Sequence, residues 1–163
     1  MLSKKMLDML NKQITVEFYS SNLYLQMSSW CEAQGFEGSA SFLAKHSIEE
    51  REHMMRLFRY INETGAQALI DSLDKPPHEF KDIKDVFEQT YEHEKWVTLS
   101  INKLADAALS EKDFSTFNFL QWYVGEQHEE EKLFKSILDQ IDIIGLEGRG
   151  LYFLDKKIGE LEN

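Results

Sequence analysis

Apolar residues recur every three or four positions along four long stretches of the chain, the spacing of an amphipathic helix. The first stretch starts behind Ser3, a suitable N-cap, and spans about 4–34 before Gly35 and Gly38 interrupt it. The second spans about 39–64, with Gly65 placed to end it, and the third about 82–110. Asp113 is placed to cap the fourth, about 114–143, and S-E-K-D leaves only a tight turn before it. Gly145, Gly148 and Gly150 then break the pattern ahead of a short last helix, about 150–160. Between the second and third helices, A-Q-A-L-I-D-S-L-D-K-P-P-H-E-F-K has no clear period and carries both prolines, Pro76 and Pro77. The pattern predicts an all-α four-helix bundle within one domain over 1–163: two tight helix pairs, one long crossover and a short fifth C-terminal helix.

The apolar stripes carry acids. Glu17 shares a face with Leu10, Ile14, Ser21 and Tyr24; Glu50 and His53 share one with Leu43, Met54, Leu57 and Ile61. Glu94 falls among Phe87, Tyr91, Val97 and Ile101, and Gln127 and Glu130 among Leu120, Tyr123, Phe134, Ile137 and Ile141. Glu17 and Glu50 are 33 residues apart, and so are Glu94 and Gln127. Each helix pair therefore places one acid on its first helix and an i, i+3 pair on its second, Glu50-x-x-His53 matching Gln127-x-x-Glu130. Burying so many unpaired ionisable groups is costly, and a pair of divalent ions removes the cost. Carboxylate and imidazole suit iron, manganese or zinc, and carboxylates bridge two ions about 3.5–4 Å apart. A lone Glu-x-x-His is usually an exposed pair; the repeat of the arrangement is what favours a metal site. A second acidic group, Glu49, Glu126, Glu129, Glu130 and Glu131, reads either as a solvated face or as a further cation site.

The formal net charge of −11 favours cations and disfavours nucleic acid and anionic membranes as partners. No apolar run is long enough to span a membrane, and M-L-S-K-K-M-L-D-M-L has no signal-peptide core. One cysteine, Cys31, precludes an intrachain disulfide and fits a reducing compartment such as the cytoplasm.

Three stretches carry a family resemblance: I-E-E-R-E-H around Glu50, F-N-F-L-Q-W-Y-V-G-E-Q-H-E-E-E-K-L-F from Phe117 to Phe134, and G-L-Y-F-L-D near the end. Over nearly its whole length the chain resembles bacterial non-haem ferritin. The resemblance implies a ferritin-like bundle assembling as a homo-oligomeric cage of twenty-four subunits. It implies a ferroxidase centre where ferrous iron is oxidised by oxygen or hydrogen peroxide, and storage of the product as a ferric oxyhydroxide mineral. By motif position, Glu17, Glu50 and His53 would hold the first iron. Glu50, Glu94 and Glu130 would hold the second, with Glu50 as bridge and Gln127 beside it. Glu49, Glu126, Glu129 and Glu130 match a third iron site adjacent to the pair. Tyr24 matches a tyrosine that supplies an electron during oxygen reduction, and the fifth helix would line four-fold axes.

Departures from related patterns narrow the expectation. Bacterioferritin repeats Glu-x-x-His where this chain has Gln127 and Glu130, and it places a haem-ligating methionine where this chain has Arg51, so no haem is expected. Animal ferritins line three-fold channels with two acids; the matching positions here are Phe117 and Leu120, which predicts an apolar ring and a different route for iron. A rubrerythrin-like di-iron peroxidase usually carries Cys-x-x-Cys pairs, and a DNA-protecting mini-ferritin usually has a basic tail; one cysteine and the ending L-D-K-K-I-G-E-L-E-N fit neither. A purely structural bundle would have no use for four inward acids.

Overall fold

The computed structural model describes residues 2–161, which form five helices. α1 is Lys4–Gln34, α2 Glu37–Glu63, α3 Ile83–Ser110, α4 Phe114–Ile144 and α5 Gly148–Gly159. α1 packs along α2 and α3 along α4; α1 also meets α3, and α5 meets α2 and α4. No described helix is long and apolar enough to cross a membrane.

Local chemistry sets most helix ends. Ser3 caps α1, its hydroxyl accepting from the Met6 N–H at 3.0 Å. Asp82 and Asp113 cap α3 and α4 in the same way, accepting from Asp85 N–H at 2.9 Å and Thr116 N–H at 3.0 Å. Gly35, at φ 84°, adopts the left-handed conformation that turns α1 into α2.

The start of α2 differs from the expected one. It begins at Glu37, and its N-cap residue Phe36 offers no side-chain acceptor. The cap comes instead from α5: the Asp155 carboxylate accepts from Gly38 N–H (2.9 Å), Ser39 N–H (2.8 Å) and the Ser39 hydroxyl (2.7 Å). A carboxylate also suits the positive end of the helix dipole. The approach is so close that a Cβ on Gly38 would lie 1.9 Å from the Asp155 carbonyl oxygen. Gly38 is therefore required for α5 to dock.

Thr64 to Asp82 crosses between the helix pairs without regular structure. Leu69 N–H donates to Asn11 at 2.8 Å, and the Phe80 ring packs edge-on against Trp30, fixing this strap to α1.

The core is in two apolar layers. One contains Tyr24, Met27, Phe42, Leu43, Phe87, Phe134 and Ile137; the other contains Leu10, Ile14, Met54, Leu57, Val97, Ile101, Leu120 and Tyr123. Every long helix passes through both layers. On each, the inward acids fall between them: Glu17 between Ile14 and Tyr24, Glu50 between Leu43 and Met54, Glu94 between Phe87 and Val97, and Gln127 and Glu130 between Tyr123 and Phe134. A side chain such as Leu57 or Phe134 contributes about 1.5–3 kcal/mol by full burial. Two such layers clamp a polar one.

The apolar ring expected from Phe117 and Leu120 is not formed by Leu120. That side chain is 0% exposed and belongs to the second apolar layer, where its place on the α4 stripe puts it. The outward residues near the start of α4 are Phe114, Ser115, Asn118 and Gln121, with Phe117 half-buried. Helical periodicity and motif matching disagreed about Leu120, and packing decided for periodicity.

Candidate metal centre

The polar layer brings together side chains from four helices. Glu17, Glu50 and His53 each offer a ligand atom, and these atoms lie within 4.8 Å of one another. His53 Nδ1 is 3.4 Å from a Glu50 oxygen. All three residues are buried, at 1%, 2% and 7% exposure. The other oxygens, Glu17 Oε2 and Glu50 Oε1, are buried without any hydrogen-bond partner. Burial of unpartnered carboxylate oxygen is rare because each forfeits its hydration. Oxygen donors beside an imidazole are the donor set a divalent transition metal takes.

The remaining walls are held by hydrogen bonds. Gln13 Nε2 donates to Glu17 at 2.8 Å and is itself fixed by Ser100, whose hydroxyl donates to Gln13 Oε1 at 2.6 Å. Tyr24 OH donates to Glu94, and Gln127 Nε2 donates to the other Glu94 oxygen at 2.9 Å. Tyr123 OH donates to the His53 carbonyl at 2.6 Å, tying α4 to α2. On the α2–α4 side, His46, Glu49 and Glu130 form a second group of ligand atoms within 4.8 Å of one another. His46 Nε2 lies 3.0 Å from Glu130.

The acids strain against one another. Burial pushes the Glu50 carboxyl well above the ordinary range, and the negative charges of Glu94, Glu17 and Glu130 push it further. Burial, then Glu130, raises Glu94 to about 8. Burial also raises Glu17, against the pull of His53. Tyr24 is held firmly as the phenol by burial and by Glu94. Without a cation the layer is a set of carboxyls that resist ionisation; a divalent pair would relieve all of them together.

The sequence-derived residues divide in two. Glu17, Glu50 and His53 converge, Glu94 is bound to Tyr24 and Gln127, and Glu130 joins Glu49 at the rim. Glu126 lies 3.9 Å from His53 Nε2, facing a surface cavity of about 380 Å³ also lined by Glu49, Glu52, Arg56 and Trp122. Glu129 is exposed and outside both ligand groups. Two participants went unnoticed in the sequence, His46 and Gln13. Both carry the signal used for the others: His46 is four residues before Glu50 and seven before His53, and Gln13 is four before Glu17.

A long-crossover bundle with acids and histidine clamped between two apolar layers defines the ferritin-like class, and the family model for a Ferritin-like domain matches residues 7–144. A "probable bacterial non-heme ferritin-like protein" of Haemophilus influenzae is 57% identical over 161 residues, covering 99% of this chain and 98% of that one. The bacterial non-heme ferritin of Escherichia coli O157:H7 is 50% identical over 162 residues, with the same coverage. Among solved structures, an open pore ferritin from Archaeoglobus fulgidus superposes with a TM-score of 0.97 at 40% identity, covering 99% of this chain and 100% of that one. The chain belongs to the ferritin family, alongside the bacterial non-heme ferritins.

Proposed function

We propose that the protein is an iron-storage ferroxidase. The observation that carries this is the pair of buried, partnerless carboxylate oxygens on Glu17 and Glu50 beside the His53 imidazole. Glu17, Glu50 and His53 take one ferrous ion; Glu50, Glu94 and Glu130 take the second, with Glu50 shared between them. Gln127 and Gln13 do not bind iron; they fix the rotamers of Glu94 and Glu17. Each ferrous ion gives up one electron. Oxygen takes the two electrons with two protons and leaves as hydrogen peroxide, which is itself a competent oxidant. Tyr24 and a further ferrous ion each add one electron to take the peroxide, with two protons, on to two waters, the phenolic proton of Tyr24 passing to Glu94 along their hydrogen bond.

Glu49 and Glu126, with Glu129 outside them, draw a third iron to the rim. The cavity lined by His53, Trp122 and Glu126 supports a direct approach to the centre through the subunit. The ferric product is stored as an oxyhydroxide mineral inside a cage of twenty-four copies, in the cytoplasm, with no haem. The similarity to ferritin structures across the whole chain supports that assembly.

The experiment is an anaerobic ferrous titration of the purified assembly followed by a pulse of oxygen. Two tightly bound ions per subunit at the pair, oxidised rapidly on mixing, are expected. Absence of stoichiometric binding would refute the ferroxidase reading.

A further inference from the structure

We propose that Trp96 is the outlet for the oxidising equivalent left on Tyr24: an electron crosses from Trp96 through the His93 ring to Tyr24, and a small neutral thiol in the surface cavity around Trp96 then restores the indole. The proposal rests on the ferroxidase reading, in which Tyr24 gives up an electron, and adds how that electron is replaced.

A radical on Tyr24 has no contact with solution. The side chain is 0% exposed, so a dissolved reductant has to act across other groups. Three rings meet it at distances of aromatic contact: Phe134 with 6.1 Å between centroids, His46 with 6.2 Å and His93 with 6.0 Å. Phe134 and His46 are themselves fully buried, and both lead on to Phe42, which is buried too. Phenylalanine gives up an electron far less readily than a phenol or an indole, so that direction is closed. His93 leads outward. Its ring lies 5.8 Å from that of Trp96, inclined by 30°, and Trp96 is 52% exposed. The two are three residues apart on α3 and share a face. The Ser20 hydroxyl lies 2.8 Å from His93 Nε2 and is tied to the Val16 carbonyl at 3.0 Å, which holds the imidazole between Tyr24 and Trp96. Tyr19 is also 5.8 Å from His93, but it is less exposed and its ring is inclined by 55°. Trp122, on α4, packs on His53 and Tyr123 instead.

Trp96 opens on a cavity of about 390 Å³, lined also by Tyr19, His93 and the crossover residues Ser72, Leu73 and Asp74. The net charge of −11 and the Asp74 carboxylate disfavour an anionic donor there and favour a neutral one. The exchange balances. Tyr24 has lost an electron to the peroxide and its proton to Glu94, leaving a neutral tyrosyl radical. Trp96 supplies one electron and Glu94 returns the proton, which restores the phenol and the carboxylate. Trp96 is left as a radical cation and gives its indole proton to water in the cavity. A hydrogen atom from the thiol restores the indole, and two thiyl radicals couple to a disulfide.

The test is freeze-quench electron paramagnetic resonance on the native assembly, loaded anaerobically with ferrous iron and pulsed with hydrogen peroxide. A tyrosyl signal, absent from Tyr24→Phe, should give way to an indolyl signal identified with ring-deuterated tryptophan. Dithiothreitol added after the pulse should erase it. Trp96→Phe should oxidise its first iron at the native rate but hold the tyrosyl signal several-fold longer, without response to the thiol. Trp96→Tyr, which keeps a redox-active ring, should restore the native decay. Peptide mapping after many turnovers without thiol should find oxygen added to Trp96. Rapid oxidation with no tyrosyl signal, a tyrosyl lifetime unchanged in Trp96→Phe, a decay slowed only by Tyr19→Phe, or oxygen added to Trp122 and not Trp96 would overturn the proposal while leaving the ferroxidase reading intact. Native protein that fails to oxidise ferrous iron rapidly would overturn both.

Discussion

Glu49 and Glu50 are adjacent in the chain and one helical step apart, yet their surroundings have little in common. Glu50 points between the two apolar layers, fully buried, with one oxygen unpartnered and three other acids raising its pKa. Glu49 points to the rim, partly in water; burial raises its pKa as well, but the positive pull of His46 counters it. The interior acids have no solvent to relax into, so their ionisation waits on a metal. The rim acids can ionise alone and serve to attract and pass on cations. The same side-chain chemistry thus gives a stringent site and a permissive one, set apart by a single residue step along α2.

The sharpest break in that comparison is to remove interior ligands. Glu17→Ala and His53→Ala should each abolish the rapid first oxidation, a loss of at least about 100-fold in stopped-flow absorbance, given that even indirect partners of metal ligands contribute 10–100-fold. Circular dichroism should show both folded, since neither removes apolar packing.

An acid in an apolar layer has no metal to rescue it. Leu120→Glu should lower stability by about 4 kcal/mol or more, read as a large fall in denaturation midpoint, because a buried unpaired carboxyl replaces a packed side chain. Phe117→Glu, at a half-buried site, should cost much less. Equal losses would mean that Leu120 is not the core residue described above.

The pH dependence of the metal-free protein sharpens the contrast. Glu94 titrates near 8 in the folded chain against an ordinary value of 4.5, and Glu17 and Glu50 shift the same way. The folded state therefore holds more protons than the unfolded one between those values. Stability is greatest below about pH 4.5 in respect of these groups and falls as pH rises toward 8. Zinc should flatten that slope, and metal binding at pH 7 should release protons, measurable by calorimetry in buffers of different ionisation enthalpy.

The mildest change is at the rim. Replacing Glu49, Glu126 and Glu129 together by glutamine should lower bound ferrous iron from about three to about two per subunit and leave the initial oxidation rate within about twofold, since the pair keeps its ligands. A rate that collapses with the rim would erase the distinction between the two environments.

Much of the interior site was legible in the sequence because it obeys one rule. Acids on an apolar stripe are improbable singly, and four of them with a repeated 33-residue separation read as a constellation. His46 obeys the same rule, four residues before Glu50, but a single histidine on an apolar stripe reads as an ordinary core residue until a carboxylate from another helix is seen to meet it. The crossover was legible as loss of period, and Ser3 and Asp113 as caps, because those signals are local. The first turn of α2 was not, since its acceptor is Asp155, 116 residues beyond Ser39. The rim was only half legible. Glu126 and Glu129 belong to one charge run in the sequence, but the helix turns Glu129 outward and Glu126 toward His53. Which members of a charge run converge is settled by packing between helices, which spacing within one helix does not encode.

The Asp155 cap also has a consequence in time. A chain made from its N-terminus has α1 and α2 available long before α5 exists, so the hairpin they form must wait with the Gly38 and Ser39 amides bound only by water. The residues of α5 then complete a helix that began far earlier. Until they arrive, the newborn chain carries a loose end on the helix that bears Glu50 and His53; the finished chain does not.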